Sequence, residues 1–268
     1  MTWGATGVVV RFGGVTALDG VDVAAEPGRI HAVIGGDGSG KSTLLRVLAG
    51  VLPADEGRVE RPDAGRVGFV SAGGGLFRDL TVDENVDFVA RVYRLSGWRE
   101  RADELLHRAG IDTFRDRLAG HLSGGQQRKL AGSLALLPQP ELLVLDEVTT
   151  GVDPYSRMEL WRLVASAAAG GAAVVAATAY LDEAERAEHV VLLHRGRVLT
   201  SGPPQRIVAE VPGSVHDTDA PDDAARAWRQ GARWRQWRPD GPAGGGARVR
   251  LEDAAIVHEL LAEGAAPP

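Results

Sequence analysis

The chain has 268 residues, 44% hydrophobic and 25% charged, which suits one large globular domain plus an appendage and excludes wholesale disorder. A net charge of −6 excludes a global basic field, so nucleic acid is not an expected partner. The lack of cysteine excludes disulfides and thiolate metal sites, and the seven histidines show no metal-ligand spacing.

The segment Met1 to Arg11 lacks a basic region followed by a long apolar core, so no signal peptide is expected. Strands are predicted at Gly7 to Arg11, at Val15 to Val23 around a Gly/Asp turn, and at Arg29 to Ile34 running into glycines. Next comes Gly35-Gly36-Asp37-Gly38-Ser39-Gly40-Lys41-Ser42, which fits G-x-x-x-x-G-K-[ST]. Glycines let a backbone curl around a phosphate chain with its N–H groups inward, where side chains would obstruct. A helix from Ser42 to Ala49, with Thr43 in its first turn, adds a positive end and stops at Gly50. Lys41 is one of only two lysines among 30 basic residues, so its placement here carries weight. It would supply a point charge to the β- and γ-phosphates of a nucleotide, and Ser42 a hydroxyl to Mg²⁺.

Helical spacing follows at Val82, Val86, Val89, Val92 and Tyr93, and a second helix is predicted from Trp98 to Ala109. Leu122-Ser123-Gly124-Gly125-Gln126 then opens another helix, with Ser123 as its N-cap and two glycines exposing amides of the first turn: a second anion-binding helix end. Twenty residues on, Leu142-Leu143-Val144-Leu145-Asp146-Glu147 reads as a buried strand ending in two carboxylates. Asp146 would hold the Mg²⁺ shell, and Glu147 would polarise an attacking water. A helix at Pro154 to Ala168, a strand at Ala173 to Ala177, a helix at Leu181 to Ala187 and a strand at Val190 to Leu193 complete an alternation that implies a mostly parallel sheet. The apolar stretch Leu163 to Tyr180 is broken by Gly170-Gly171, which suits helix, turn and strand better than a membrane span. After Pro212 the texture turns Asp/Pro/Gly-rich. Trp228, Trp234 and Trp237 lie among arginines there, which reads as a packed strand face or as a nucleic-acid or membrane patch.

With these three motifs in this order, the chain resembles the ABC ATPase family over roughly residues 5 to 210. The resemblance implies an α/β fold: a P-loop NTPase with a RecA-like parallel-sheet core, an N-terminal antiparallel β subdomain and an ABC-specific helical subdomain at about 76–122. These make a domain of residues 1–212, with a small α+β appendage at 213–268. It implies ATP and Mg²⁺ as cofactors, Phe12 stacking on adenine, and head-to-tail pairing in which Ser123, Gly124, Gly125 and Gln126 reach the ATP of the opposite subunit. Thr149-Thr150-Gly151-Val152-Asp153 matches the segment that crosses between subunits. Gly75 to Asn85, Tyr180 to Glu185 and Leu251-Glu252-Asp253 are similar to ATPases of bacterial multidrug and daunorubicin-resistance-type exporters. That implies a cytoplasmic subunit, peripheral on the inner face of the membrane, working with an integral membrane permease. The alternatives are a soluble ABC ATPase acting on DNA or the ribosome, which would carry a long coiled coil or a second cassette, and a non-hydrolysing regulatory partner.

Two family residues are replaced. Ser71-Ala72 stands where the family places a glutamine, and Ala179 where it places a switch histidine. Losing one preorganised donor costs on the order of 10²- to 10³-fold in rate, so slow hydrolysis at this chain's own site is expected. An intact signature beside a weakened site implies a heterodimer with a second ABC ATPase subunit rather than a homodimer.

Overall fold

The computed structural model describes residues 2–242 and 246–264. An antiparallel sheet is built from β1 (Trp3–Phe12), β2 (Val15–Ala25) and, across the P-loop segment in sequence, β4 (Glu56–Glu60), in the order β2-β1-β4. β2 runs on through the expected turn: its partners on β1 jump from Val8↔Val21 to Val10↔Leu18, so a bulge at Asp19 and Gly20 absorbs the turn signal.

The central sheet has six strands, in the order β5-β6-β7-β3-β8-β9. They are β3 (Ile30–Ile34), β5 (Val67–Val70), β6 (Leu142–Asp146), β7 (Ala173–Ala177), β8 (His189–His194) and β9 (Arg197–Gly202). All neighbours pair in parallel except β8 with β9. Its middle strands are apolar because both faces are covered. On β6, Leu142 and Val144 join a core shared with β1, β2 and α1 (Lys41–Leu48), while Leu143 and Leu145 join the larger core on the other face.

That larger core takes in α2 (Val82–Val92), α3 (Trp98–Arg108), α4 (Gly124–Leu136) and α5 (Pro154–Ala169). The short α6 (Leu181–Ala184) stops before the predicted Ala187, because the Arg186 and Ala187 N–H groups donate to carbonyls three residues back and tighten the chain into turns. α7 (Pro204–Ala209) follows β9. Beyond it, β10 (Ser214–Thr218), β11 (Ala227–Gln230) and β12 (Arg233–Arg238) form an antiparallel sheet, and α8 (Leu251–Ala262) closes the chain. The expected appendage also spans 243–245 and 265–268, which lie outside the described residues.

Val215, Trp237, Leu251, Ala254 and Val257 belong to the same hydrophobic cluster as Val190, Leu192 and Ile207. Trp237 is buried, and its indole N–H donates to Pro212 O at 2.7 Å. Arg235, 4% exposed, donates to both carboxylate oxygens of Asp253 on α8, which is fully buried. Among the described residues no helix is long and apolar enough to cross a membrane.

Candidate functional site

Parallel pairing puts the C-terminal ends of β6, β7 and β3 side by side, with Asp146 opposite Ala177 and Ala177 opposite Val33. The glycine loop leaves β3 at this edge and enters α1. Gly35, Gly38 and Gly40 have φ of 145°, 74° and 107°. Two of them are also sterically required: a Cβ at Gly35 would collide with the Leu193 carbonyl oxygen, and one at Gly40 would lie 2.7 Å from Ala17 O. The loop is further pinned by Gly196 N–H donating to Ser39 O at 2.9 Å.

Lys41 is 6% exposed. Its ammonium donates to Gly35 O at 2.9 Å and Gly36 O at 3.1 Å and lies 3.7 Å from Glu147 Oε1. Ser42 Oγ donates to Asp146 Oδ1 at 3.0 Å. Asp146 is fully buried, and its Oδ2 has no hydrogen-bond partner in the protein. A buried carboxylate oxygen without a partner, beside a hydroxyl, is the hard oxygen donor set that Mg²⁺ takes from protein. These residues therefore fit the ion that the motif implies.

Glu147 turns out of β6 in the left-handed region at φ 49°, a conformation costing about 1–2 kcal/mol for an L-residue with a side chain. The turn is held by Glu147 N–H donating to Ala177 O at 3.1 Å and Thr150 N–H donating to Glu147 O at 3.2 Å. The strain aims the carboxylate toward Lys41 instead of along the strand.

Ser123 caps α4 as expected. Its hydroxyl accepts from Gln126 N–H at 3.3 Å, while Gln126 Oε1 accepts from Ser123 N–H at 2.9 Å. This end lies against the start of α5, not against the glycine loop: a Cβ at Gly125 would sit 3.0 Å from Ser156 Oγ and 3.4 Å from Asp153 Oδ2. Asp153 caps α5 through Tyr155 and Ser156 N–H, and the Ser156 bond chiefly holds its carboxyl below the usual carboxylate range. The structure thus unites Lys41, Ser42, Asp146 and Glu147 and sets Ser123 to Gln126 apart from them, with Ser123 and Gly124 exposed and Gly125 and Gln126 half-buried. Phe12 stands half exposed at the end of β1. Ala72 and Ala179 are both exposed, in the loops after β5 and β7.

Sequence reasoning missed a buried cluster beside this edge. Glu183, 1% exposed, accepts from Thr149, Thr178 and Arg157, on three different segments. Glu183 is 34 residues from Thr149, and no local pattern marks such a pairing.

A family model described as ABC transporter matches residues 18–150. The chain is 36% identical over 224 residues to a daunorubicin resistance ATP-binding protein of Streptomyces coeruleorubidus, covering 79% of this chain and 71% of that one. This chain belongs to the ABC transporter ATP-binding family. It is also 33% identical to a daunorubicin/doxorubicin resistance ATP-binding protein of Streptomyces peucetius, covering 82% of this chain and 72% of that one. A third relative, the Nod factor export ATP-binding protein I of Burkholderia pseudomallei, is 33% identical over 79% and 74% of the two chains. A solved ATP-binding subunit of an ABC transporter matches with a TM-score of 0.72 at 24% identity, covering 77% of this chain and 92% of that one, a likeness of fold. A dimeric structure of a bacterial ABC transporter cassette matches with a TM-score of 0.67 at 27% identity, over 76% of this chain and 98% of that one. The chain is an ABC ATP-binding subunit of a transporter, with drug-resistance-type relatives.

Proposed function

We propose that this subunit binds Mg·ATP at Gly35 to Thr43, hydrolyses it slowly there, and lends its signature to a second, different ATPase subunit, so that the pair drives export through a membrane permease. The observation that carries the reading is the site's composition: Ser42 meets Asp146 at 3.0 Å and Lys41 meets Glu147 at 3.7 Å, while positions 72 and 179 in the flanking loops are both alanine.

On this reading the loop amides and the positive end of α1 receive the phosphates, and Phe12 stacks on the base. Lys41 exchanges its two carbonyl partners for phosphate oxygens. Ser42 and Asp146 would hold Mg²⁺, which when bound offsets the charge of the triphosphate. Glu147 orients the attacking water and accepts its proton. No side chain at 72 or 179 donates to the terminal phosphate, and each missing donor slows turnover by on the order of 10²- to 10³-fold. The capping box engages the Ser123 and Gln126 amides and leaves those of Gly124 and Gly125 at the start of α4, where this end serves an ATP held by the other subunit.

The names of the relatives, which refer to daunorubicin and doxorubicin resistance, support a drug or drug-like molecule as cargo. On this reading the subunit sits at the inner face of the cell membrane, reached through the permease. The test is steady-state phosphate release by the purified chain. Slow turnover alone, with brisk turnover on adding the second ATPase that co-purifies from membranes, is expected. Brisk turnover of the chain alone that Glu147→Gln abolishes would refute the slow site.

A further inference from the structure

Glu183 stands outside the nucleotide site, yet its carboxylate is almost completely buried and fully used. Its Oε2 accepts from Thr149 Oγ1 at 2.8 Å and from Thr178 Oγ1 at 2.6 Å. Its Oε1 accepts from Arg157 Nε at 3.0 Å. Thr149 lies two residues beyond Glu147, at the head of the segment Thr149 to Asp153. Thr178 immediately precedes Ala179, and Arg157 stands in the second turn of α5.

A buried charge stays in a fold only when its lone pairs are met, and here donors from three segments meet them. The same threonine works twice: Thr178 Oγ1 donates to Glu183 and accepts from Tyr180 N–H at 3.0 Å, which fixes the backbone on both sides of Ala179. Arg157 adds a second tie, with its guanidinium 4.0 Å above the Tyr180 ring and an ion pair to Asp182 at 3.2 Å. The helix that carries Glu183 spans only four residues, so its own backbone hydrogen bonds contribute little to fixing the loop.

We propose that Glu183 is a positioning residue that locks the segment at Ala179, beside the phosphate end of the site, to the segment Thr149 to Asp153, so that the two move as one body. If the subunit works in a pair as proposed above, this bridge passes a shift at the nucleotide to the segment facing the other subunit. The bridge itself lies within one chain, and its test does not depend on that reading.

The chain contains no cysteine, so Thr150→Cys and Ala179→Cys place two nitroxide labels at exposed positions on the two segments without competition from native thiols. Double electron–electron resonance on the full chain is expected to give one narrow distance peak. Glu183→Ala should lose that peak, and so should Thr178→Val, which keeps the side chain's shape and removes only the hydroxyl. Glu183→Gln combined with Arg157→Met should keep it, because the amide oxygen still accepts both threonine hydroxyls and no guanidinium N–H faces the amide nitrogen. All three should retain Mg·ATP in equilibrium dialysis, since Glu183 and Thr178 hold no part of the nucleotide site. If Glu183→Ala does not fold, Thr178→Val decides. A narrow peak that persists in folded Thr178→Val overturns the proposal, and equal loss in Glu183→Gln with Arg157→Met overturns it too, by showing that the threonine bridge does not lock the two segments.

Discussion

His31 gives the chain a defined sensitivity to acid. It lies on β3 between β7 and β8, 3% exposed, with its ring 5.6 Å from that of His189. Glu26 N–H donates to its Nε2 at 3.0 Å, so the neutral ring carries its proton on Nδ1. Burial, and secondarily the neighbouring His189, lowers its pKa from 6.5 to about 4 against the opposing pull of Glu26 and Glu188. The unfolded chain therefore binds more protons than the folded one between these values, and stability falls as pH drops through that window. At 1.36 kcal/mol per unit, the loss is about 2 kcal/mol by pH 5 and about 3 kcal/mol at pH 4. In His31→Gln the amide oxygen can accept the same Glu26 N–H but does not titrate. Urea unfolding at pH 7, 6 and 5 should show the parent losing about 2 kcal/mol more than the variant. Parallel pH profiles would refute the reasoning, since they would mean that His31 protonates as readily in the fold as outside it.

Ala179→His should raise phosphate release by the purified chain alone by on the order of 10²-fold if the missing donor limits the site. An unchanged rate with intact Mg·ATP binding would count against that account. Asp253→Ala, which leaves the buried Arg235 guanidinium only the half-exposed Asp217 and the Arg248 carbonyl, should cost up to about 3–5 kcal/mol by urea unfolding, whereas Arg235→Met with Asp253→Leu should recover most of it. Equal losses in the single and double variants would show that the ion pair is not what ties α8 to β12.

Legibility followed the range of the interactions. The strand, glycine loop and helix around Lys41 were readable because one turn must satisfy backbone and steric demands at once, and Gly35 and Gly40 admit no side chain. Ser123 was readable because capping is local, with donor and acceptor three residues apart. β2 was read short because Gly20 carries turn chemistry that a bulge absorbs only when β1 supplies the partner. α6 was read long because apolar spacing continues past Ala184, while the pinning of Glu183 by Thr149, Thr178 and Arg157 comes from residues 5 to 34 positions away. β4 and β9 escaped notice because each is a short edge strand whose apolar pattern is thin. The Trp/Arg run resolved into packing once Trp237 met the core and Arg235 met Asp253, contacts made by α8 and the turn after α7.

A triphosphate held by the amides of the glycine loop, with the Lys41 ammonium to meet it, is the step on which every other role of this subunit depends. Equilibrium dialysis of Mg·ATP against the full chain and against Lys41→Ala measures this directly. Clear retention by the parent and its loss in the variant is the expected result. Failure of the parent to retain Mg·ATP, or equal retention by both proteins, would contradict it.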